Sequence, residues 1–161
     1  MERALEFRAW HTPTGQMHEN VAFNTGLVYI PMDDCGYQPV PRVECVLMQF
    51  SGILDRNGSK IFEGDLLHWT YVDEDQPNDT CEYYEPVVCR FGSFGLSQMW
   101  DEDDPVHPFL GYNEVVRNDN FHMDIAGNIF QHAYLISAEE YERLITSGIV
   151  TNAESALSLT D

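Results

Sequence analysis

The chain has 161 residues, enough for one ordinary domain, and its 43% apolar and 12% aromatic content is that of a folded protein. Twenty-seven acids against eight bases give a net charge of −19. That charge opposes direct binding to nucleic acid, where cations must neutralise phosphates, and to anionic membrane surfaces. There is no apolar run of about 18 residues that would span a bilayer as a helix. The first eight residues, Met1 to Arg8, alternate in charge and lack the apolar centre of a secretory signal. A cytoplasmic protein is expected.

Leu5, Phe7 and Ala9 alternate with Glu6, Arg8 and Trp10, the period-two pattern of a half-buried strand. His11 to Gly15 reads as a turn, and Val21–Phe23 and Leu27–Ile30 as short strands around Asn24-Thr25-Gly26. Residues 31–41, with three prolines, Asp33, Asp34 and Gly36, read as a loop. Val43 to Phe50 is the longest strand candidate. Asp55 to Gly58 follows as a tight turn, since Asn57-Gly58 tolerates positive φ, and Ile61-Phe62 and Asp65–Val72 complete a meander.

Residues 73–86 read as an acidic loop carrying Asp73, Glu74, Asp75, Asp79, Glu82 and Glu85. Val87–Phe91 and Phe94–Trp100 pair as strands across Gly92-Ser93, and Asp101, Glu102, Asp103 and Asp104 make a second acidic run. Phe121–Phe130 reads as a strand pair turned at Ala126-Gly127-Asn128. One helix is expected at about residues 138–147. Ser137 is its N-cap, Glu140 completes a capping box, Tyr141, Leu144 and Ile145 share a face, and Gly148 ends it. The reading is a mainly β fold, a small SH3-like barrel or meander of short antiparallel strands. One domain covers 1–148, and a polar tail covers 149–161.

The order of residues from Leu47-Met48-Gln49-Phe50-Ser51-Gly52 through Asp55-Arg56-Asn57-Gly58 to Ile61-Phe62-Glu63-Gly64-Asp65 resembles the central motif of the YopX-like family. Phe7-Arg8-Ala9-Trp10 resembles its opening motif, Pro86–Phe94 its middle strand and turn, and Asp124–Phe130 its closing glycine–asparagine element. The resemblance spans residues 7–130. It implies a small β-rich phage or prophage protein, with no settled enzymatic activity for the family as a whole.

The residues offer little chemistry of their own. Four cysteines, at 35, 45, 81 and 89, form no CxxC pair and are expected as free thiols in a reducing compartment. A Cys81–Cys89 disulfide fits on spacing alone. A zinc site joining these two to His68 or His107 lacks recognisable ligand spacing. His122 and Asp124 share one face of a strand and would orient an imidazole for acid–base work, or form a plain surface pair. Glu63 and Asp65 flank Gly64 as two carboxylates of a site, or as turn and capping residues. No nucleophile elbow, phosphate loop, dinucleotide fingerprint or HExxH motif is present. No catalytic residue, metal or cofactor is expected.

The acidic runs are the candidate contact surface: Asp73, Glu74, Asp75, Asp79, Glu82, Glu85, Asp101, Glu102, Asp103 and Asp104. Solvated loops explain them without function. The functional reading is a nucleic-acid-like field that fills the basic channel of a host nuclease, restriction enzyme or CRISPR effector, with Tyr71, Tyr83, Tyr84, Phe94 and Trp100 as anchors. A second class is a nucleotide-sequestering protein with its pocket between subunits, for which Arg8 is the cation to test. A third is a self-assembling accessory protein whose strand edges pair with copies of itself.

Overall fold

A computed structural model describes residues 5–72, 80–90, 92–97 and 122–146. The strands are β1 (Phe7–His11), β2 (Gln16–His18), β3 (Ala22–Phe23), β4 (Leu27–Pro31), β5 (Tyr37–Pro41) and β6 (Cys45–Leu54). They continue with β7 (Lys60–Phe62), β8 (Asp65–Val72), β9 (Thr80–Arg90), β10 (Ser93–Leu96) and β11 (His122–Asn128), and the helix α1 is Ala138–Thr146. The described strand pairs whose register is defined are all antiparallel. The fold is therefore mainly β with one helix near the C-terminus, as composition and turn spacing predict. The chain divides into two compact units, residues 1–50 with 142–161, and residues 51–141.

In the first unit β1 lies between β2 and β6, and β3-β4-β5 form a second sheet. Ala9, Val28, Ile30, Val40 and Cys45 make its core. Arg8 and Ala9 are both buried, so β1 is covered on two faces and not half-buried as its alternation suggests. Residues 37–41, expected as loop, form β5. Gln38 and Val40 are the non-proline partners opposite Ile30 and Val28, while Pro39 and Pro41 lie opposite Tyr29 and Leu27. A proline cannot donate to a ladder, so this arrangement suits an edge strand and leaves no donor at two outward positions. β6 starts at Cys45, later than expected, because Arg42–Glu44 is a single helical turn with Val43 exposed.

In the second unit the sheet order is β10-β9-β8-β11. Ile61, Leu67, Val87, Phe94, Leu96 and Met123 form its core, with Ile53, Trp69, Cys89 and Ile125 packed against them. Two expectations are corrected here. The region 80–86 is not loop: β9 begins at Thr80 and is paired with β8 from Val72↔Thr80 to Leu66↔Pro86. Residues 122–128 are not a hairpin but a single strand on β8, with a register shift between Ile125 and Gly127 in place of a turn.

The turns have visible causes. Asp55 Oδ1 accepts the N–H groups of Asn57 at 2.9 Å and Ser59 at 2.8 Å, and Gly58 sits at φ 83°, where a side chain is strained. Asp65 is buried and its Oδ2 accepts the Phe62 N–H at 2.8 Å, the capping role expected of it. The Gly64 N–H donates to Val87 O at 2.8 Å, and Ile129 N–H donates to Gly64 O at 2.9 Å. The central, middle and closing motif segments thus meet through backbone hydrogen bonds. At α1 the Ser137 hydroxyl accepts the Glu140 N–H at 3.1 Å, the expected N-cap.

Candidate functional site

β8 runs toward the 73–79 connection and β9 returns from it, with Val72 opposite Thr80. β10 runs in the same direction as β8, and β11 starts opposite Thr70, near that same end. The connections that carry both acidic runs therefore attach to one sheet: one joins β8 to β9, and the other leaves β10 toward this end and re-enters there. Asp73, Glu74, Asp75, Asp79, Asp101, Glu102, Asp103 and Asp104 themselves lie outside the described residues, as do Trp100 and His107.

Two of the predicted contact acids are described, and they part company. Glu82 is exposed on β9, its Oε1 4.0 Å from His68 Nε2. Glu85 is 3% exposed and faces the core, so it is removed from the contact surface. Its Oε2 accepts the Trp69 Nε1–H at 3.1 Å. Burial pushes its carboxyl above the usual range, the Trp69 hydrogen bond pulls it back, and the nearby Glu140 charge raises it again. Pro86, Val87 and Val88 after it are buried as well, so no alternation marks Glu85 as inward-facing, and the acid-rich composition before it reads as loop.

Aromatic pairs brace this end of the sheet. Trp69 and Tyr83 are cross-strand partners stacked with centroids 4.4 Å apart, and His68 and Tyr84 stack at 4.8 Å on the opposite face. Tyr83 is 37% exposed, so one predicted anchor remains accessible beside Glu82. Phe94 is buried in the core and is not an anchor. Such pairs rigidify a hairpin by about 0.5–1.5 kcal/mol beyond area burial.

Arg8, the candidate cation for a nucleotide, is 7% exposed and opposite Met48 in the β1–β6 ladder. It is an interior residue of the first unit. Asp124 is engaged by Arg56 and Asn57 of the turn after β6, which gives it an architectural task. In the first unit His11 Nδ1 lies 2.9 Å from Thr14 Oγ1 and its Nε2 3.4 Å from Glu44 Oε2. This chain ties the turn after β1 to the Arg42–Glu44 segment. Nearby His18 is held below the usual imidazole pKa by burial and by His11.

No group of three or more His, Cys, Asp or Glu suited to a metal occurs among the described residues. All four cysteines are free. Cys81 and Cys89 lie eight positions apart on one extended strand, about 26 Å at 3.3 Å per residue, so neither the disulfide nor a shared zinc ion is geometrically open to them. No described helix is long and apolar enough to cross a membrane.

A family model described as YopX protein matches residues 6–137. Among solved structures, protein EF1440 from Enterococcus faecalis is similar with a TM-score of 0.58 and 20% identity, covering 84% of this chain and 100% of that one. Protein yopX from Bacillus subtilis is similar with a TM-score of 0.53 and 17% identity, covering 82% of this chain and 98% of that one. At these identities the likeness establishes the fold. No curated protein matches the chain.

Proposed function

The chain belongs to the YopX family, and from that premise we propose that it is a non-enzymatic phage accessory protein that binds and inhibits a basic host component in the cytoplasm. The target class is a nucleic-acid-handling defence protein, of CRISPR or restriction type, engaged through an acidic surface. What supports this reading is the charge of the chain and the position of its acidic runs in the strand order. A chain with a net charge of −19 attaches both of its acidic connections to one sheet, and exposed Glu82 and Tyr83 stand where β8 and β9 approach the first of them. Such a field speeds encounter with a basic channel, and an accessible aromatic supplies an anchor.

The rival readings draw less support. Nucleotide sequestration relied on Arg8, which is interior. Self-assembly through strand edges is opposed at β5 by Pro39 and Pro41.

The test is capture from host lysate by the tagged chain, with mass spectrometry of bound proteins and of small molecules released on denaturation. A basic nucleic-acid-binding protein is expected, and its capture should weaken with salt. Reversing the charge of Asp101, Glu102, Asp103 and Asp104 should abolish capture while leaving the circular dichroism and Tm unchanged. Undiminished capture by that variant would overturn the acidic-surface reading.

A further inference from the structure

The sheet β3-β4-β5 has a covered face and an open one. Val28, Ile30 and Val40 belong to the core of the first unit. The alternate positions are Leu27, Tyr29 and Pro31 on β4, opposite Pro41, Pro39 and Tyr37 on β5. Opposed residues of an antiparallel pair share a face, so these six apolar and aromatic side chains form one patch. The three on β4 are half-buried and the three on β5 exposed, Tyr37 at 55%. Contiguous apolar surface of this kind marks interaction sites. Tyr29 and Tyr37 are diagonal neighbours, about 7–8 Å apart along the backbone, each with a proline opposite it. Tyr29 Oη accepts from Asn24 Nδ2 at 3.5 Å, which leaves its own hydrogen to donate.

Edge and charge narrow the occupant. Arg42 N–H donates to Gly26 O and Met32 N–H to Gly36 O, so the hydrogen-bonded pairs between them are Val28↔Val40 and Ile30↔Gln38. The carbonyls of Tyr37, Pro39 and Pro41 therefore turn away from β4, at the outer edge of the sheet. Of these three residues only Tyr37 has an N–H to offer an added strand, whereas a polyproline II segment needs no ladder. No lysine or arginine stands between Arg8 and Arg42, and Arg42 is turned to Cys45 O at 3.1 Å. Asp33 and Asp34 are exposed at the hairpin tip, just beyond Pro31 and Tyr37. The patch is apolar along its length and negative at one end.

We propose that the open face of β4 and β5 docks a proline-rich segment of a partner protein in the polyproline II conformation, with an arginine or lysine of that segment set against Asp33, Asp34 and the Tyr37 ring. Prolines of such a segment pack on the tyrosine and proline side chains, and its carbonyls accept from tyrosine hydroxyls. The segment is extended before it binds, so little ordering entropy is lost. Its cation gains from the two carboxylates and from the aromatic face. This docking face belongs to the first unit and stands independently of the acidic connections, which attach to the second.

The probe is a short synthetic peptide of proline–leucine repeats led by two arginines, titrated into the isotope-labelled full chain and followed by amide chemical shifts. Saturable shifts confined to β4, β5 and their connecting tip are expected, with a Kd on the order of 100 μM, the weak end suited to a small interface. Tyr37→Ala, at an exposed position, should weaken binding about tenfold and leave Tm unchanged. Asp33→Asn with Asp34→Asn should also weaken it and flatten its salt dependence. A peptide with the same arginines but glycine and serine in place of proline and leucine controls for the attraction of any cation to so acidic a chain, and should bind about tenfold more weakly. Equal binding of the two peptides, shifts centred on β8 and β9, no saturation, or an affinity that Tyr37→Ala leaves intact would each overturn the proposal. Sedimentation equilibrium without peptide tests the other occupant: a dimer that Tyr37→Ala dissolves would put a second copy on this face and overturn it equally.

Discussion

Arg56 in the turn after β6 reaches Asp124 on β11, with Nη2 2.5 Å from Oδ2, although 68 positions separate them in the chain. Asn57 Nδ2 donates to the same carboxylate at 2.9 Å. Asp55 completes the seam from the other side: its Oδ2 accepts the Ile125 N–H at 3.3 Å while Oδ1 serves the turn itself. The most recognisable sequence motif of the chain is therefore a staple between a turn and a distant strand.

The two aspartates of that staple should differ in weight. Arg56 is about half exposed, and exposed ion pairs contribute only about 0–1 kcal/mol, so Asp124→Ala should cost about 1 kcal/mol. Asp55 is buried and accepts three N–H groups, which its loss leaves without that acceptor. Asp55→Ala should cost about 3 kcal/mol. Urea unfolding of the two variants decides the point, and equal losses would show that the ion pair, not the turn, is the staple.

Gly127 presents a steric test. A β-carbon there would lie 2.5 Å from the His132 ring, and His132 is held because its Nδ1 accepts the Asn128 N–H at 3.2 Å. Gly127→Ala should destabilise by about 2 kcal/mol, in the range of overpacked sites. In the background of His132→Ala the same change should cost well under half as much, a coupling a double-mutant cycle measures directly. Additive effects would place the cost in the backbone and not in the ring.

What the sequence disclosed and withheld follows from local against nonlocal causes. Asn57-Gly58 and Ser137 announce their turn and cap because the chemistry acts within a few residues. β5 was hidden because Pro39 and Pro41 read as loop until a neighbouring strand takes Gln38 and Val40. The first half of β9 was hidden because its residues 80–83 are exposed and polar enough to read as loop, and with them went the burial of Glu85. Arg8 gave no sign of burial, since the local alternation of β1 does not disclose that both of its faces are covered.

The thiols should separate by environment. Cys35 and Cys81 are exposed, whereas Cys45 is buried and its thiol is pushed up to about 11, chiefly by burial. Cys89 is raised in the same way and further by Glu63. The thiolate is the reactive form, so at neutral pH a water-soluble disulfide reagent should titrate two thiols quickly, Cys89 slowly and Cys45 only on unfolding. Mass mapping of the labelled peptides checks the order. Fast labelling of Cys45 would contradict its place in the core of the first unit.

Arg8 separates a structural role from a ligand-binding one. Its side chain is buried on a strand paired along both edges, so its methylene stem and head group both contribute to packing. Arg8→Ala should cost about 2 kcal/mol and lower Tm by several degrees. Arg8→Met, which restores the apolar stem, should recover part of that loss. Denatured native protein should release no stoichiometric nucleotide by chromatography. If Arg8→Ala instead kept the native Tm but lost a nucleotide that the unmodified chain carries, sequestration would replace the acidic surface as the function of this protein.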